Sequence, residues 1–284
     1  MSSRRPRRRS SPADRRPGGL APAIPAVYDG FAGDYHWLYD DVQLRLGTAT
    51  PGVRAAFHGL PGGARVLDAA CGVGLDAIAL HRRGFDVTAV DASPAMLGEA
   101  RRRLVAAQCD VDAEICTWAE LSTRFATGSF DAVLCTGNSI AHARSRDEME
   151  TALRSFAGVL VPGGVLIIDT HHWEEMERFG DHVLVDPVVV ERDGARCERT
   201  YTWRRVEAGS GRPWRLDLGL EISRGPERRE RHLEVELFPF STGELRERLR
   251  ASGFTHVSID ATTDSDRYTA VARRAGERAA GAVS

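Results

Sequence analysis

Residues 66–80 read VLDAACGVGLDAIAL, and residues 85–91 read FDVTAVD. An apolar run, a turn with two glycines, an amphipathic stretch and a second apolar run form the pattern of a βαβ unit. The pattern continues through DAEICT, FDAVLCTG and VLIIDT, with a helix indicated over residues 147–160. Apolar runs that alternate with helical stretches in this order predict an α/β fold with a doubly wound, mostly parallel sheet.

The segment after the fifth strand, residues 171–240, has a different pattern. It contains the runs HVLVDPVVVE, RCERTYTWRRVE, WRLDLGLEIS and RHLEVELFPF, which are rich in β-branched and aromatic residues. Turn-forming and charged residues separate these runs, which predicts an antiparallel β insertion after strand five. A helix cap at Ser241 and Thr242 and the runs THVSIDA and RYTAVAR then predict a return to the main sheet, giving it seven strands.

The two ends of the chain have too few large apolar side chains to offset the entropy of ordering. Residues 1–25, rich in arginine and proline, predict a disordered tail, and residues 276–284 predict a flexible one. Residues 26–275 are then expected to form one domain, in which residues 171–240 are an antiparallel lid over the substrate.

The composition is that of an ordinary globular protein, with 42% hydrophobic residues, 27% charged residues and a formal net charge of −2. No apolar run approaches the roughly 20 residues that cross a bilayer, and the arginine-rich start lacks the apolar part of a secretory signal. We therefore expect a cytoplasmic protein without a membrane partner. The balanced charge, and an arginine cluster without aromatics, argue against a nucleic-acid partner. The five cysteines lack a CxxC pair and predict neither a disulfide nor a metal site.

The turn that carries Gly72 and Gly74 is the strongest chemical signal. Ligands of doubly wound sheets bind outside the carboxyl ends of the strands, where Asp91 could hydrogen-bond the two hydroxyls of a ribose. Nicotinamide enzymes share this feature, but the acidic Asp68 at the end of the first strand would repel a pyrophosphate. S-adenosylmethionine (SAM) carries a sulfonium and an ammonium group and no phosphate, so the acidic turn favours SAM over a dinucleotide.

Several segments in combination resemble class I SAM-dependent methyltransferases, and most closely the glycine/sarcosine N-methyltransferase group. Residues 66–100 resemble motif I and the acidic loop after it, and Thr117-Trp118 resembles an Asn-Trp pair beside the adenine. FDAVLCTGNSIAH and VPGGVLIIDT resemble the fourth and fifth strands, and VYDGFAGDYHWLYDD resembles an N-terminal segment that folds over the cofactor. The resemblance covers roughly residues 27–175.

This resemblance implies a Rossmann-like methyltransferase sheet and SAM as the cofactor. Trp118, Met96 and the tyrosines of the N-terminal segment could instead be packing residues, since aromatic side chains fill cores as readily as sites. With the glycine turn and its two acids included, the expected cofactor-binding residues are Tyr28, Tyr39, Arg45, Asp68, Ala70, Gly72, Gly74, Asp91, Met96, Thr117, Trp118 and Thr136.

The substrate side departs from the family pattern. The glycine enzymes place an arginine after strand five to hold a carboxylate, whereas this chain has His171. This argues against glycine or sarcosine unless another arginine, such as Arg204 or Arg205, takes that role. TGNS at residues 136–139 also differs from the tetrad of DNA amino-methyltransferases, and no double-glutamate loop of protein arginine methyltransferases is present. We therefore expect a small-molecule substrate. Its expected contacts are Asn138, Tyr201 and Trp203, of which the aromatic residues could instead pack the insertion.

Methyl transfer from a sulfonium is an in-line displacement in which a general base is optional. An amine need only arrive unprotonated, whereas a hydroxyl or carbon acceptor needs a base, for which the candidate residues are His142, His171 and His172. The sequence therefore predicts N-methylation first, with O- or C-methylation of a specialised metabolite as the alternative. The chain could instead be a nicotinamide oxidoreductase or a non-catalytic SAM-binding scaffold, and it could form a homo-oligomer. No metal is expected, because adjacent histidines of a strand point to opposite faces.

Overall fold

The structure is a computed structural model that describes residues 24–39, 51–207, 212–261 and 266–276. Arg45, nearly all of the expected N-terminal tail and most of the expected C-terminal tail lie outside these ranges. Within them, no helix combines the length and the apolarity that a membrane span requires.

The described residues form the following helices and strands. The α-helices are α1 (Ile24–Asp29), α2 (Pro51–His58), α3 (Leu75–His81), α4 (Pro94–Ala106), α5 (Leu121–Arg124), α6 (Arg146–Val159), α7 (Trp173–Arg178) and α8 (Thr242–Ala251). The strands are β1 (Arg65–Asp68), β2 (Asp86–Asp91), β3 (Asp112–Ile115), β4 (Phe130–Cys135), β5 (Leu160–His171), β6 (His182–Arg192), β7 (Ala195–Arg205), β8 (Trp214–Arg224), β9 (Glu227–Leu237), β10 (Phe254–Asp260) and β11 (Arg267–Arg274). Short 3-10 helices cover Ala32–Leu38, Trp118–Glu120 and Ser139–His142.

The central sheet has seven strands in the order β10-β11-β5-β4-β1-β2-β3. The five strands from β5 to β3 are parallel, and β11 runs antiparallel between β5 and β10. Neighbouring residues of β1 belong to different hydrophobic clusters, with Val66 in one and Leu67 in the other. Because parallel strands are covered on both faces, they appear in the sequence as continuous apolar runs. The predicted doubly wound, seven-stranded sheet is confirmed.

The second sheet is the predicted antiparallel insertion after strand five, with the order β6-β7-β8-β9. One part of it packs on the N-terminal segment, where Phe31 and Trp37 meet the apolar side chains of the strands. Another part, with Trp203 and Trp214, joins the core of the central sheet. The insertion is therefore anchored both to the central domain and to the segment that precedes β1.

Candidate cofactor and substrate site

A cleft of about 570 Å³ opens where β1, β2 and β4 reach their carboxyl ends. This is the edge at which doubly wound sheets bind ligands. Eight residues expected from the sequence line the cleft, namely Tyr28, Ala70, Gly72, Asp91, Met96, Thr117, Trp118 and His142. A smaller recess of about 30 Å³ adjoins it and is lined by Tyr39, Thr136 and Asp76, and both cavities share Tyr35, Gly72 and Ser139.

Asp91 occupies the cleft wall at the end of β2. Its Oδ2 accepts a 2.8 Å hydrogen bond from the backbone N–H of Gly72, and its Oδ1 accepts one of the same length from Ser93. Burial raises the pKa of this carboxyl, while hydrogen bonds from Ser93 and Gly72 oppose the rise. The two backbone donors fix the orientation of the carboxylate, and each of its oxygens can accept a further hydrogen bond from a ligand hydroxyl.

The two glycines of the turn have different surroundings. Gly72 has φ +54° and lines the cleft, where an added Cβ would lie 3.4 Å from Cε of Met96. Gly74 has φ +81°, and its Cβ would lie 3.1 Å from Cβ of Ala100 on α4. Gly74 therefore allows the turn to approach α4 closely, and it is not among the residues that line the cleft.

The turn between β1 and α3 has a negative electrostatic environment. The pKa of the Cys71 thiol is raised well above its usual value, first by burial and then by the charges of Asp68, Asp91 and Asp76. Asp68 is fully buried beneath the cleft surface rather than lining it. Asp76 lines the recess, and its Oδ2 accepts a 2.7 Å hydrogen bond from Thr136 Oγ1. Three carboxyl groups around one turn favour a cationic ligand and disfavour a phosphate.

The opposite end of the cleft is apolar. The Trp118 indole N–H donates a 2.7 Å hydrogen bond to the carbonyl oxygen of Ala69, and its ring packs edge-on against Phe156. Met96 is buried in the first turn of α4, which begins at the Ser93 cap. A fixed indole and a methionine side chain provide the kind of surface on which a flat aromatic ring can pack.

The N-terminal segment closes the third side of the cleft. The Tyr28 hydroxyl and His142 Nε2 are 2.9 Å apart, and Ser93 Oγ donates a 2.9 Å hydrogen bond to the Asp29 carboxylate. Burial lowers the pKa of His142 to about 4, and the nearby Arg144 adds to this shift. The imidazole is therefore neutral near pH 7, so the Tyr28 hydroxyl can donate its proton to Nε2.

Five further residues expected at the site are not among those that line the two cavities. Asn138 is buried, and its Oδ1 accepts hydrogen bonds from Thr170 Oγ1 at 2.6 Å and from the backbone of His171 at 3.1 Å. This bonding explains its position, because Asn138 ties the loop after β4 to the end of β5. The other four are His171, His172, Tyr201 and Trp203.

The packing contacts of these four residues explain why their side chains do not line the cleft or the recess. The His171 ring packs on Trp203 with centroids 5.0 Å apart, and Trp203 in turn packs on Trp173. His172 is buried against Tyr268 on the neighbouring strand β11. Tyr201 packs with the cluster that includes Phe31 and Trp37. These four side chains stabilise the junction of the sheets and the N-terminal segment, and their predicted contacts with substrate remain predictions.

Sequence reasoning also missed residues that the structure brings to the cleft. Tyr35 and Ser139 line both cavities, and Ser93 and Asp147 line the larger one. Tyr35 follows Tyr28 by seven residues and precedes Tyr39 by four, a helical spacing that could have identified Tyr35. Ser139 begins the 3-10 helix after β4 and Asp147 lies in the first turn of α6, and the positions of both depend on the tertiary fold. Within the described chain, no group of three or more acidic, His or Cys side chains is arranged to hold a metal ion.

The strand order, the antiparallel last strand and the acid at the end of β2 define a class I methyltransferase fold. In agreement with this, residues 66–164 match the family described as "Methyltransferase domain". Glycine N-methyltransferase of Rattus norvegicus is 41% identical over 120 residues, which are 39% of this chain and 41% of that protein. Glycine/sarcosine N-methyltransferase of Parasynechococcus marenigrum is 32% identical over 197 residues, covering 69% of this chain and 65% of that protein.

Among solved structures, a similar one is SAM-bound CalS10, an amino pentose methyltransferase from Micromonospora echinaspora. It has a TM-score of 0.67 at 23% sequence identity and covers 91% of this chain and 100% of that chain. The chain belongs to the class I SAM-dependent methyltransferases, which confirms the family expected from the sequence. It spans between 41% and 65% of the length of the two sequence relatives described above.

Proposed function

We propose that this protein transfers a methyl group from SAM to a nitrogen atom of a small molecule. The observation that carries the proposal is the division of one cleft into three parts. Asp91 offers acceptors for ribose hydroxyls, Met96 and Trp118 offer an apolar surface for adenine, and the acidic turn suits the sulfonium and ammonium groups. SAM needs these three features together, whereas a dinucleotide would bring its pyrophosphate to the acidic turn.

The choice of nitrogen follows from the bases available in the cleft. Of the three candidate histidines, His142 lines it, and its pKa of about 4 makes it a weak base. A hydroxyl or carbon acceptor requires a base with a pKa nearer the working pH. An unprotonated amine requires none, because alignment of nucleophile and methyl group can lower the barrier by about 7–11 kcal/mol. The names of the sequence relatives, which are N-methyltransferases, agree with this choice.

The structure also bears on whether this chain could hold the carboxylate of an amino acid such as glycine. Two arginines of the insertion could have replaced the missing carboxylate clamp, and both are engaged elsewhere. Arg204 pairs with Asp217, and Arg205 pairs with Glu177 at 3.0 Å and with Asp181 at 2.8 Å. We therefore propose that the acceptor is an amine without the single free carboxylate of glycine.

Calorimetric titration tests the cofactor part of the proposal. SAM and S-adenosylhomocysteine should bind, NAD should not, and Asp91→Ala should weaken both adenosyl ligands by about tenfold or more, because it removes charge-assisted hydrogen bonds. Asp86→Ala is the matched control, since Asp86 is an exposed aspartate at the other end of β2. Binding of NAD alone would show that the cleft serves a dinucleotide enzyme.

A methyl-transfer assay tests the acceptor part. Radiolabelled SAM is incubated with panels of amines, phenols and carbon acids, with glycine and sarcosine included as reference compounds. We expect turnover with amines and little with glycine. Turnover confined to phenols would refute N-methylation, and binding of SAM without turnover of any panel would favour a non-catalytic scaffold.

A further inference from the structure

The strand β6 is an edge strand with an exposed apolar surface. Leu184 is 71% exposed, Val189 is 45% exposed and Val185 is 43% exposed. Edge strands usually carry charged residues that prevent pairing with other chains. The opposite edge strand β9 follows this rule with the sequence ERRERHLEVEL, and it is contacted by α1 and by the 3-10 helix Ser139–His142. The two edges of the sheet therefore differ, and β6 is the one that resembles an interface.

A β-bulge divides β6 into two halves. Val185 lies opposite Tyr201 and Val188 lies opposite Arg199, so residues 186 and 187 together face Thr200. When the bulge is counted as one position, side chains alternate regularly on both sides of it. Leu184 and Val189 then share the outer face of the sheet, which agrees with their exposure, while Val190 is buried on the inner face.

The two halves of β6 are complementary to each other in an antiparallel arrangement. A two-fold axis through the bulge would place Val185 opposite Val188, Leu184 opposite Val189 and Val183 opposite Val190. The next position outward pairs His182 with Glu191, whereas Asp181 and Arg192 bond within their own chain, to Arg205 and to the carbonyl oxygens of His36 and Tyr39. Apolar residues thus meet apolar residues of the same face, which are cross-strand pairs that stabilise sheets.

We infer that β6 pairs with β6 of a second copy of this chain. The pairing joins two four-stranded sheets into one continuous eight-stranded antiparallel sheet, and the interface is isologous because each half-strand meets the other half. Pro187 has no N–H to donate, but it lies at the bulge, where the ladder is already interrupted. The self-complementary apolar pattern of β6, in which each half of the strand matches the other half, favours a second copy over an unrelated protein.

The oligomeric state in solution is the first test. Light scattering coupled to gel filtration should give the mass of a dimer for the full chain. The double variant Leu184→Glu/Val189→Glu places carboxylates opposite each other across the axis and should halve the measured mass. Val105→Glu is the matched control, because Val105 is 79% exposed on α4, and it should remain dimeric. A monomeric parent protein, or a double variant that stays dimeric, would overturn the inference.

The register of the pairing gives a second, independent test. Opposed residues of antiparallel strands have Cβ atoms about 4.5–5.5 Å apart, close enough for a disulfide after small adjustments. The variant Leu184→Cys/Val189→Cys should form a covalent dimer under mild oxidation. Each single variant should not, since two copies of the same residue would lie roughly 13 Å apart along the strands. Equal cross-linking in single and double variants would contradict this register. Circular dichroism of every variant shows whether it has folded.

Discussion

The hydroxyl of Tyr28 and Nε2 of His142 lie 2.9 Å apart and join α1 to the 3-10 helix after β4. The next residue, Asp29, accepts a hydrogen bond from Ser93 on the loop after β2. The N-terminal segment therefore spans the cleft and is held by polar contacts on both sides. We therefore expect these contacts to influence how fast a ligand enters or leaves the cleft.

The variant Tyr28→Phe tests whether the contact between Tyr28 and His142 limits ligand release. It keeps the aromatic ring and removes one hydrogen bond, which contributes about 0.5–1.5 kcal/mol, so S-adenosylhomocysteine should dissociate roughly twofold to tenfold faster. Stopped-flow fluorescence measures the rate. Tyr268→Phe is the control, because the described residues offer no hydrogen-bond partner to its buried hydroxyl. An unchanged dissociation rate in Tyr28→Phe would mean that the contact does not limit ligand release.

The neutral state of His142 predicts a pH dependence of stability. Its pKa is about 4 in the folded protein and near 6.5 in an unfolded chain, so unfolding takes up a proton between these values. The free energy of unfolding should therefore fall as the pH drops from 6.5 to 4, and His171, whose pKa is also lowered, adds to the same trend. His142→Gln should reduce the slope by up to about 1.4 kcal/mol per pH unit.

Urea unfolding at several pH values measures this slope. A parallel NMR titration of the imidazole signals checks the cause directly. Protonation of His142 in the folded protein above pH 6 would contradict the prediction, whatever the unfolding curves show.

Two glycines near α4 should respond to alanine in opposite directions. At Gly74, φ is +81° and the new Cβ would meet Ala100 at 3.1 Å, so Gly74→Ala should lower the free energy of unfolding by about 1–3 kcal/mol. Gly98 lies inside α4 with no atom within 4 Å of an added Cβ, so Gly98→Ala should raise it by about 0.4–1 kcal/mol. Urea denaturation measures both, and equal effects of the two variants would contradict the geometric explanation.

The sequence predicted the fold well because its signals are local. The apolar runs of β1, β4 and β5 reflect burial on both faces, and the helix expected over residues 147–160 is observed as Arg146–Val159. By contrast, the short helix Trp173–Arg178 was not predicted. The residue before it, His172, occupies the N-cap position but makes no capping side-chain bond, so the sequence carries no start signal there.

The residues of the site were harder to predict from the sequence than the fold, because the direction of a side chain depends on the register of the strands. Trp203 and Tyr201 lie on β7 at positions of the same parity, yet Trp203 packs on Trp173 and Tyr201 packs toward the N-terminal segment. Asn138 is bonded to Thr170, which is 32 residues away in the chain. Neither relationship can be derived from local patterns, since both depend on how the insertion and the strand ends meet.

A buried carboxylate holds the N-terminal segment on the insertion, and its removal should loosen that contact. Asp34 is 6% exposed, and its two oxygens accept hydrogen bonds from Arg229 and from Arg231 of β9, the latter at 2.8 Å. Asp34→Asn removes the charge and should increase hydrogen exchange of the backbone amides in Ala32–Leu38, because local opening becomes less costly. Because the N-terminal segment closes one side of the cleft, loosening it should also lower SAM affinity several-fold. Glu230→Gln, at an exposed position of the same strand, should change neither quantity. If exchange in Ala32–Leu38 is unaffected by Asp34→Asn, the apolar contacts of Phe31 and Trp37 suffice to hold the segment, and the ion pairs are dispensable.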